Sequence, residues 1–407
     1  MLEAGQGREL IGEWLRRTWT ERESVAFAVT QPNEDVVPGA VVRLPGREDD
    51  WLVTEIEDGL VRKVSARQIL RAAGMQWQSA NPDAIANAPP PAIGQPLALF
   101  LDLPTGAGPG AAEDQFRLAA WQKPWRSQAV FASPEDTGFT QRTTIALPAD
   151  VGVLAEPLPP GVVGRRDHSV TLTVELYGGE FSSISRAQLL NGANSVAIRS
   201  TGGAWEVVQF ETAEEIAPEI WRLGGLLRGQ LGTDDATAAG AAAGAHLVVL
   251  DDAVQPAGLL ASEAGLLLNW RVGPAGADLS GADFSDHSGI GGLRALLPLS
   301  PVHVRATKDG SGDVALSWVR RGRIDADSWT ASDIPLGEER EEYQVQIAHA
   351  GGALVRTATT LQPGFVYDSA DIAADFGAPP GEIDVTVRQL SLAAGWGIPA
   401  TRRLSLF

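Results

Sequence analysis

Apolar and polar residues alternate through most of this chain, which is the period of a strand that buries one face. The clearest run places Val170, Leu172 and Val174 on one side. Asp58-Gly59 separates two further apolar runs, and this dipeptide is a strong hairpin signal. Only residues 7–18 show apolar positions at helical spacing. The pattern therefore predicts a mainly β protein with a short helix near its beginning.

Turn-rich stretches divide the β pattern into blocks. Residues 1–75 form the first block, and residues 76–96 are polar and proline-rich, which predicts a linker. A second β block covers 97–297; within it, 280–292 is rich in glycine and serine and is predicted to be a loop. Residues 298–407 contain strands at short spacing with turn signals between them, which predicts a two-sheet sandwich. The fold class is therefore mainly β and multidomain.

The charge balance restricts the partners. The chain has 407 residues, with 51 acidic against 32 basic side chains and a net charge of −19. We therefore expect neither specific nucleic-acid binding nor docking on anionic lipid, since both need basic surfaces. No apolar run is long enough to predict stable membrane insertion. The absence of cysteine excludes disulfides and thiolate chemistry.

No catalytic, metal-binding or cofactor-binding set is predicted. The five histidines do not share a motif spacing, and we do not expect a folded site to gather them. The residues before the three lysines are Arg62, Gln122 and Thr307, which excludes a P-loop. Adjacent acids such as Asp234-Asp235 are interpreted as solvated surface. We accordingly predict that the chain is not an enzyme and holds no cofactor.

Tryptophan is frequent, with 12 residues against three tyrosines. Trp205 and Trp318 stand in alternating apolar runs, which indicates core packing. Trp329 and Trp396 stand next to predicted loops, so we name them as candidate receptor contacts. An exposed aromatic ring can stack on a sugar, which makes a glycan one candidate ligand.

Several segments carry a family resemblance when they are taken together. They are 189–194, 203–210, 221–233 and 243–251, followed further along by 318–329 and 334–343. In this order they resemble the C-terminal part of the gene transfer agent baseplate megatron family, which includes host specificity and tail tip proteins of tailed phages. The resemblance covers nearly the whole chain. It implies that 1–75 ends a phage-tail hub-like β domain, that 97–297 is the following β domain and that 298–407 is fibronectin-III-like.

The most specific segment of this resemblance is Leu226-Leu227-Arg228-Gly229, with Trp205 and Gln209 upstream and Gly232 downstream. We expect this segment to have a structural role and no catalytic one. The two leucines can be buried, and Gly229 and Gly232 permit tight turns. Arg228 can fork onto carbonyls or a carboxylate and fix the loop. Contact of Arg228 with a partner protein is the alternative.

The resemblance implies a structural role at the tail tip of a virion that assembles in the bacterial cytoplasm. The chain would surround the axial channel as a trimer, contact the tail hub and distal tail proteins, and contribute to host-envelope attachment or to transient DNA passage. A host-surface glycan or receptor-binding module is the alternative function. A third hypothesis, a peptidoglycan hydrolase, lacks a coherent catalytic set in this sequence.

Overall fold

The computed structural model describes residues 11, 14–15, 17–30, 36–69, 94–106, 108–324, 326 and 333–406. The chain divides into two compact units, Met1–Pro89 and Pro90–Phe407. This division falls inside the predicted linker 76–96, of which residues 76–93 lie outside the described part. Residues 11, 14, 15 and 17–20 are helical, whereas residues 7–10 of the predicted helix also lie outside it.

The first unit contains a four-stranded antiparallel sheet in the order β1-β4-β3-β2. Its strands are β1 (Ser24–Val29), β2 (Val41–Arg43), β3 (Asp50–Asp58) and β4 (Arg62–Ile69). Strands β3 and β4 are joined across Asp58-Gly59, with Asp58 opposite Arg62, so the predicted hairpin is confirmed. Trp51 and Val64 are fully buried on one face of the sheet.

The second unit begins with three sheets, which together contain fifteen described strands. The strands of these sheets are β5 (Leu97–Asp102), β6 (Phe116–Trp121), β7 (Gln128–Ser133), β8 (Thr140–Ile145), β9 (Val151–Leu154), β10 (Leu172–Leu176), β11 (Ser195–Arg199), β12 (Trp205–Gln209), β13 (Thr212–Ala217), β14 (Ile220–Gly224), β15 (Leu227–Gln230), β16 (His246–Val249), β17 (Gln255–Pro256), β18 (Leu267–Pro274) and β19 (Ser285–Ile290). The helices are α1 (Arg186–Leu190) and α2 (Asp234–Ala239), with short 3-10 turns at Glu113–Gln115 and Ala261–Glu263.

An eight-stranded sheet runs in the order β13-β14-β10-β9-β16-β11-β12-β15, beside the sheets β17-β6-β5 and β19-β18-β7-β8. The small sheet β17-β6-β5 contributes to two cores. Leu101 packs in one core with Ala197 and Val248 of the large sheet. Ala98, on the opposite face of β5, packs in the other core with Trp270. Because β5 is covered on both faces, its sequence is apolar at nearly every position.

The last part of the second unit is a two-sheet sandwich, as predicted. Its elements are β20 (Val302–Lys308), β21 (Val314–Val319), β22 (Tyr343–His349), β23 (Leu354–Thr360), β24 (Gly364–Tyr367), α3 (Ser369–Phe376), β25 (Glu382–Ser391), β26 (Gly395–Trp396) and β27 (Ala400–Ser405). One sheet is β20-β21-β24, and the other is β23-β22-β25 with β26 and β27 both paired to β25. Alternate residues of β21, β22 and β25 meet in a single core.

One expectation for the second block was wrong. Residues 280–292 were predicted to be a loop, but 285–290 form β19, which pairs along its length with β18. The sequence of β19 is Ser-Asp-His-Ser-Gly-Ile, which lacks the β-branched and aromatic residues that usually identify a strand. Pairing with the buried strand β18 orders it, which is a tertiary effect that local propensity does not report.

Candidate functional site

Two of the segments that carry the family resemblance, 203–210 and 221–233, meet at one edge of the eight-stranded sheet, where β12 pairs with β15. All five residues of β12 are buried, including the charged Glu206. The pairing register shifts between Val207 and Gln209, which indicates a β-bulge. A bulge changes the direction of the side chains around it. At this bulge, two charged side chains meet inside the protein.

Arg228 and Glu206 form this buried pair, with 0% and 1% of their side chains exposed. The guanidinium is bidentate: Nε donates to Glu206 Oε1 at 2.5 Å and Nη2 donates to Oε2 at 2.8 Å. Arg228 Nη1 donates to the carbonyl of Pro159 at 3.0 Å. Glu206 Oε1 also accepts from the Gly229 amide and the Thr237 hydroxyl. The fork onto a carboxylate and a carbonyl is the structural role suggested for Arg228, and it ties β12, β15, α2 and the segment before β10 together.

Two glycines allow the chain to pass this pair closely. Gly229 has a φ of +64°, and a Cβ there would lie 2.6 Å from Val163 Cγ1. Gly232 has a φ of +82°, and its Cβ would lie 2.5 Å from Leu299 Cδ2. Both positions therefore need glycine for backbone conformation and for space. Gly232 also brings this segment against the first residues of the sandwich.

Trp205 and Gln209 complete the structural cluster. Trp205 is 4% exposed, and its indole Nε1 donates to the carbonyl of Phe100 at 3.0 Å. The Gln209 amide nitrogen donates to the carbonyls of Leu189 and Ala193, at 2.9 and 2.8 Å. These bonds tie the end of α1 and the turn that follows it to β12. Both side chains hold neighbouring segments in place.

The adjacent acids at the start of α2 are not free surface charges, contrary to the sequence interpretation. Asp235 accepts two hydrogen bonds from the Arg294 guanidinium, at 2.7 and 2.6 Å. Asp234 pairs with Arg321 of the sandwich, and Arg321 Nε also donates to the carbonyl of Ser300 at 2.7 Å. Burial alone would raise the pKa of Asp235, but the hydrogen bonds and charge of Arg294 outweigh it and lower that pKa. We call this cluster of Asp234, Asp235, Arg294 and Arg321 the junction, because it joins the three-sheet region to the sandwich.

The remaining tryptophan predictions have different outcomes. Trp318 is 4% exposed, and its ring lies 5.2 Å from the ring of Tyr343, so it is a core residue of the sandwich. Trp396 is half-buried in β26. Trp329 lies outside the described residues. Among the tryptophans that the structure describes, the most exposed are instead Trp14 and Trp19 of the first unit, at 64% and 73%. Trp14 lies in the predicted helix 7–18, but its exposure was not predicted, and Trp19 follows directly after that helix.

The contacts at this edge of the sheet connect segments of the fold to one another. Glu206 accepts hydrogen bonds from an arginine, a backbone amide and a hydroxyl of the protein itself, so internal contacts hold both members of the buried pair. Within the described ranges, no group of three or more His, Asp or Glu side chains is arranged to hold a metal ion. In the same ranges, none of the helices combines the length and hydropathy that a membrane crossing requires.

Two protein-family models match the chain. The model described as "Rcc01698-like, C-terminal" matches residues 149–248, which include β12, β15 and α2. The model described as "Putative phage tail protein" matches residues 1–56. Each match covers less than half of the chain. Together they fit a protein of the phage-tail type, which agrees with the coarser part of the resemblance seen in the sequence.

A search of curated protein sequences gives no match. Among solved structures, a multidomain fragment of titin aligns over 94% of this chain and 92% of its own, at 9% identity and a TM-score of 0.20. Domains d3–d4 of rat CD45 align over 30% of this chain and 55% of theirs, at 13% identity and a TM-score of 0.20. The FN5 domain of Drosophila Lar aligns over 27% of this chain and 98% of its own, at 18% identity and a TM-score of 0.17. These TM-scores are too low to support an argument about the fold. The description of the fold as mainly β with several sheets rests on the strand pairings of the chain itself.

Proposed function

We propose that this protein is a structural component of the tail tip, or baseplate, of a phage-like particle of the gene transfer agent type. The observation that carries the proposal is the pair of family matches, one to a phage tail protein and one to an Rcc01698-like C-terminal region. They lie in the order that the resemblance implies. The neighbours of the chain would be the tail hub and distal tail proteins.

The contacts around Arg228 support a scaffold role. The residues that identify the family-like segment connect separate parts of the fold. The Arg228–Glu206 pair ties together β12, β15, α2 and the segment before β10, and Gly232 packs against Leu299 at the start of the sandwich. Buried bidentate pairs fix geometry, because any displacement leaves a charge without its partner. A tail tip has to transmit force between its parts without deforming, and such a joint suits that task.

We further propose a trimer that encloses the axial channel. Three copies would carry a formal charge of −57, three times −19. Negative walls repel the phosphates of DNA, so transient passage without binding is consistent with this charge. Partner proteins or apolar contacts would have to offset the repulsion between subunits.

A reconstruction of the assembled particle, with an antibody fragment bound to residues 298–407, tests this proposal. We expect labels at the distal end of the tail, arranged with threefold symmetry about its axis. Labels on the capsid, or a copy number that three does not divide, would overturn it. A cell-wall zymogram is a separate test of the expectation that the chain does not hydrolyse peptidoglycan: clearing that is lost in a single carboxylate variant would contradict it.

A further inference from the structure

A second feature of the three-sheet region lies apart from the Arg228–Glu206 pair. It is a cleft of about 560 Å³ between the eight-stranded sheet and the two smaller sheets. This volume is within the range of small-molecule sites. Polar side chains from five separate segments reach its lining: Asp102, Arg199, His246, His287, Ser288 and Arg294. We did not expect a folded site to gather any of the histidines, and this expectation is wrong for His246 and His287, which are distant along the chain.

Arg199 supplies the cleft with a positive charge. Its guanidinium lies 5.3 Å from the ring of Trp205, and the residue is exposed. Within the described part of the chain, no carboxylate forms an ion pair with it. Arg294, on the opposite wall, is already neutralised by Asp235. An anionic group that enters the cleft therefore meets one cation that is ready to pair with it.

The two histidines supply neutral hydrogen-bonding groups. Burial lowers the pKa of both imidazoles, and the charge of Arg199 lowers that of His246 further. Each is therefore neutral near pH 7, with one nitrogen that donates and one that accepts. Neither ring is hydrogen-bonded to another described residue. His246 Nδ1 and His287 Nε2 are buried, so a ligand in the cleft would meet the opposite nitrogen of each ring, His246 Nε2 or His287 Nδ1. Such groups suit hydroxyls, which both donate and accept.

Phe100 provides the apolar part of the lining. Its ring is half-buried and packs 5.3 Å from the His287 ring, edge to face. The larger aromatic faces are not free: Trp270 is 2% exposed, and Arg199 covers Trp205. A nucleobase would need such a face, and a nucleotide phosphate would need more than one unpaired cation. The lining therefore favours a compact polyhydroxylated anion over a nucleotide.

We propose that this cleft binds an acidic saccharide, with the sugar carboxylate on Arg199, hydroxyls on His246 and His287, and an apolar sugar edge against Phe100. The ligand class is inferred from the lining alone. Only the source of the ligand, a uronic-acid polysaccharide of the recipient envelope, rests on the proposed tail-tip function. The particle reconstruction and a binding assay on the isolated chain can therefore fail independently.

Calorimetric titration of the whole chain with D-glucuronate and with a galacturonic acid tetrasaccharide tests the proposal. D-Glucose is the neutral match, and AMP and inorganic phosphate are the competing anions. The variant Arg199→Gln removes the cation, and we expect it to weaken uronate binding about tenfold or more. Arg186→Gln, on the exposed face of α1, is the matched control and should bind as the unmodified chain does.

A second variant keeps the test valid if Arg199→Gln perturbs folding. Gly289 lines the cleft on the same face of β19 as His287, and a Cβ there meets nothing within 4 Å. Gly289→Leu should therefore fold normally and block uronate binding by occupying the cleft. The proposal is overturned if neither uronate binds, if D-glucose binds as well as D-glucuronate, if AMP or phosphate binds more tightly, or if both variants bind normally.

Discussion

Arg228 of the buried pair is close along the chain to Asp234 and Asp235 of the junction, yet the environments of the two sites differ. The first pair is 0% and 1% exposed. At the junction, Arg321 and Asp234 are 26% and 23% exposed, and Arg294 and Asp235 are 10% and 28% exposed. Water can therefore replace a lost partner at the junction, whereas it cannot reach the buried pair.

The difference in exposure gives the two sets of arginine–carboxylate pairs different roles in stability. A buried pair contributes little net stability when it is intact, but it costs much when one partner is removed. A partly exposed pair contributes modestly when it is intact, and its loss costs modestly when one partner is removed. The buried pair should therefore determine whether the three-sheet region folds, and the junction should determine how firmly the sandwich is held against it.

The largest expected effect follows from neutralising Glu206. Glu206→Gln leaves the Arg228 charge buried without a counter-charge, and we expect a loss of about 3–5 kcal/mol in unfolding free energy. Chemical denaturation followed by circular dichroism measures it. Glu214→Gln, which breaks the exposed pair with Arg222, is the control and should cost less than about 1 kcal/mol. Equal effects of the two substitutions would contradict the comparison.

A core substitution in the sandwich tests how far the junction couples the two parts. Trp318→Ala removes a buried ring, and we expect a cost of about 3–5 kcal/mol. If the junction is a modest contact, the sandwich should unfold first and calorimetry should resolve two transitions. An unchanged melting profile would mean that Trp318 does not pack in this core.

The sequence was sufficient for features that local patterns determine. The alternation in β21 gave the correct buried face for Trp318, and Asp58-Gly59 gave the correct hairpin. The fork of Arg228 could also be anticipated, but its partner was not named. A signal was present, because Glu206 is the single acid in a strand that is otherwise apolar or amide-bearing.

The junction and the cleft could not be predicted because their members are distant in sequence. Asp235 and Arg294 are separated by 59 residues, and Asp234 and Arg321 by 87. Two adjacent acids next to an alanine-rich segment resemble solvated surface until the fold supplies their arginines. The polar strand β19, which carries His287, could not be predicted either, because it is ordered by pairing with β18 and not by its local sequence.

The contribution of the Asp235 carboxylate at the junction should depend on pH. The folded pKa of Asp235 is lowered, so its contribution to stability is present above the unfolded value of about 4 and is lost as pH falls below it. We expect Asp235→Asn to cost about 1–2 kcal/mol at pH 7. The difference between variant and parent in denaturation experiments should shrink towards pH 3. A constant difference across this range would contradict the assignment to the Asp235 carboxylate.

The smallest expected effect on stability belongs to Asp234. Asp234→Asn breaks a partly exposed ion pair, so the unfolding free energy should change by less than about 1 kcal/mol. Its effect should be local instead: the amides of Leu299 and Ser300, in the segment that connects the three-sheet region to the sandwich, should exchange hydrogen faster, because Arg321 no longer bridges Asp234 and the Ser300 carbonyl. Hydrogen exchange with mass spectrometry measures this, and Asp333→Asn, whose pair with Arg320 lies within the sandwich and is more exposed, is the matched control. Faster exchange in both variants would assign the effect to general loosening of the sandwich, and unchanged exchange in Asp234→Asn would mean that the packing of Leu299 against Gly232 holds the connection without the ion pair.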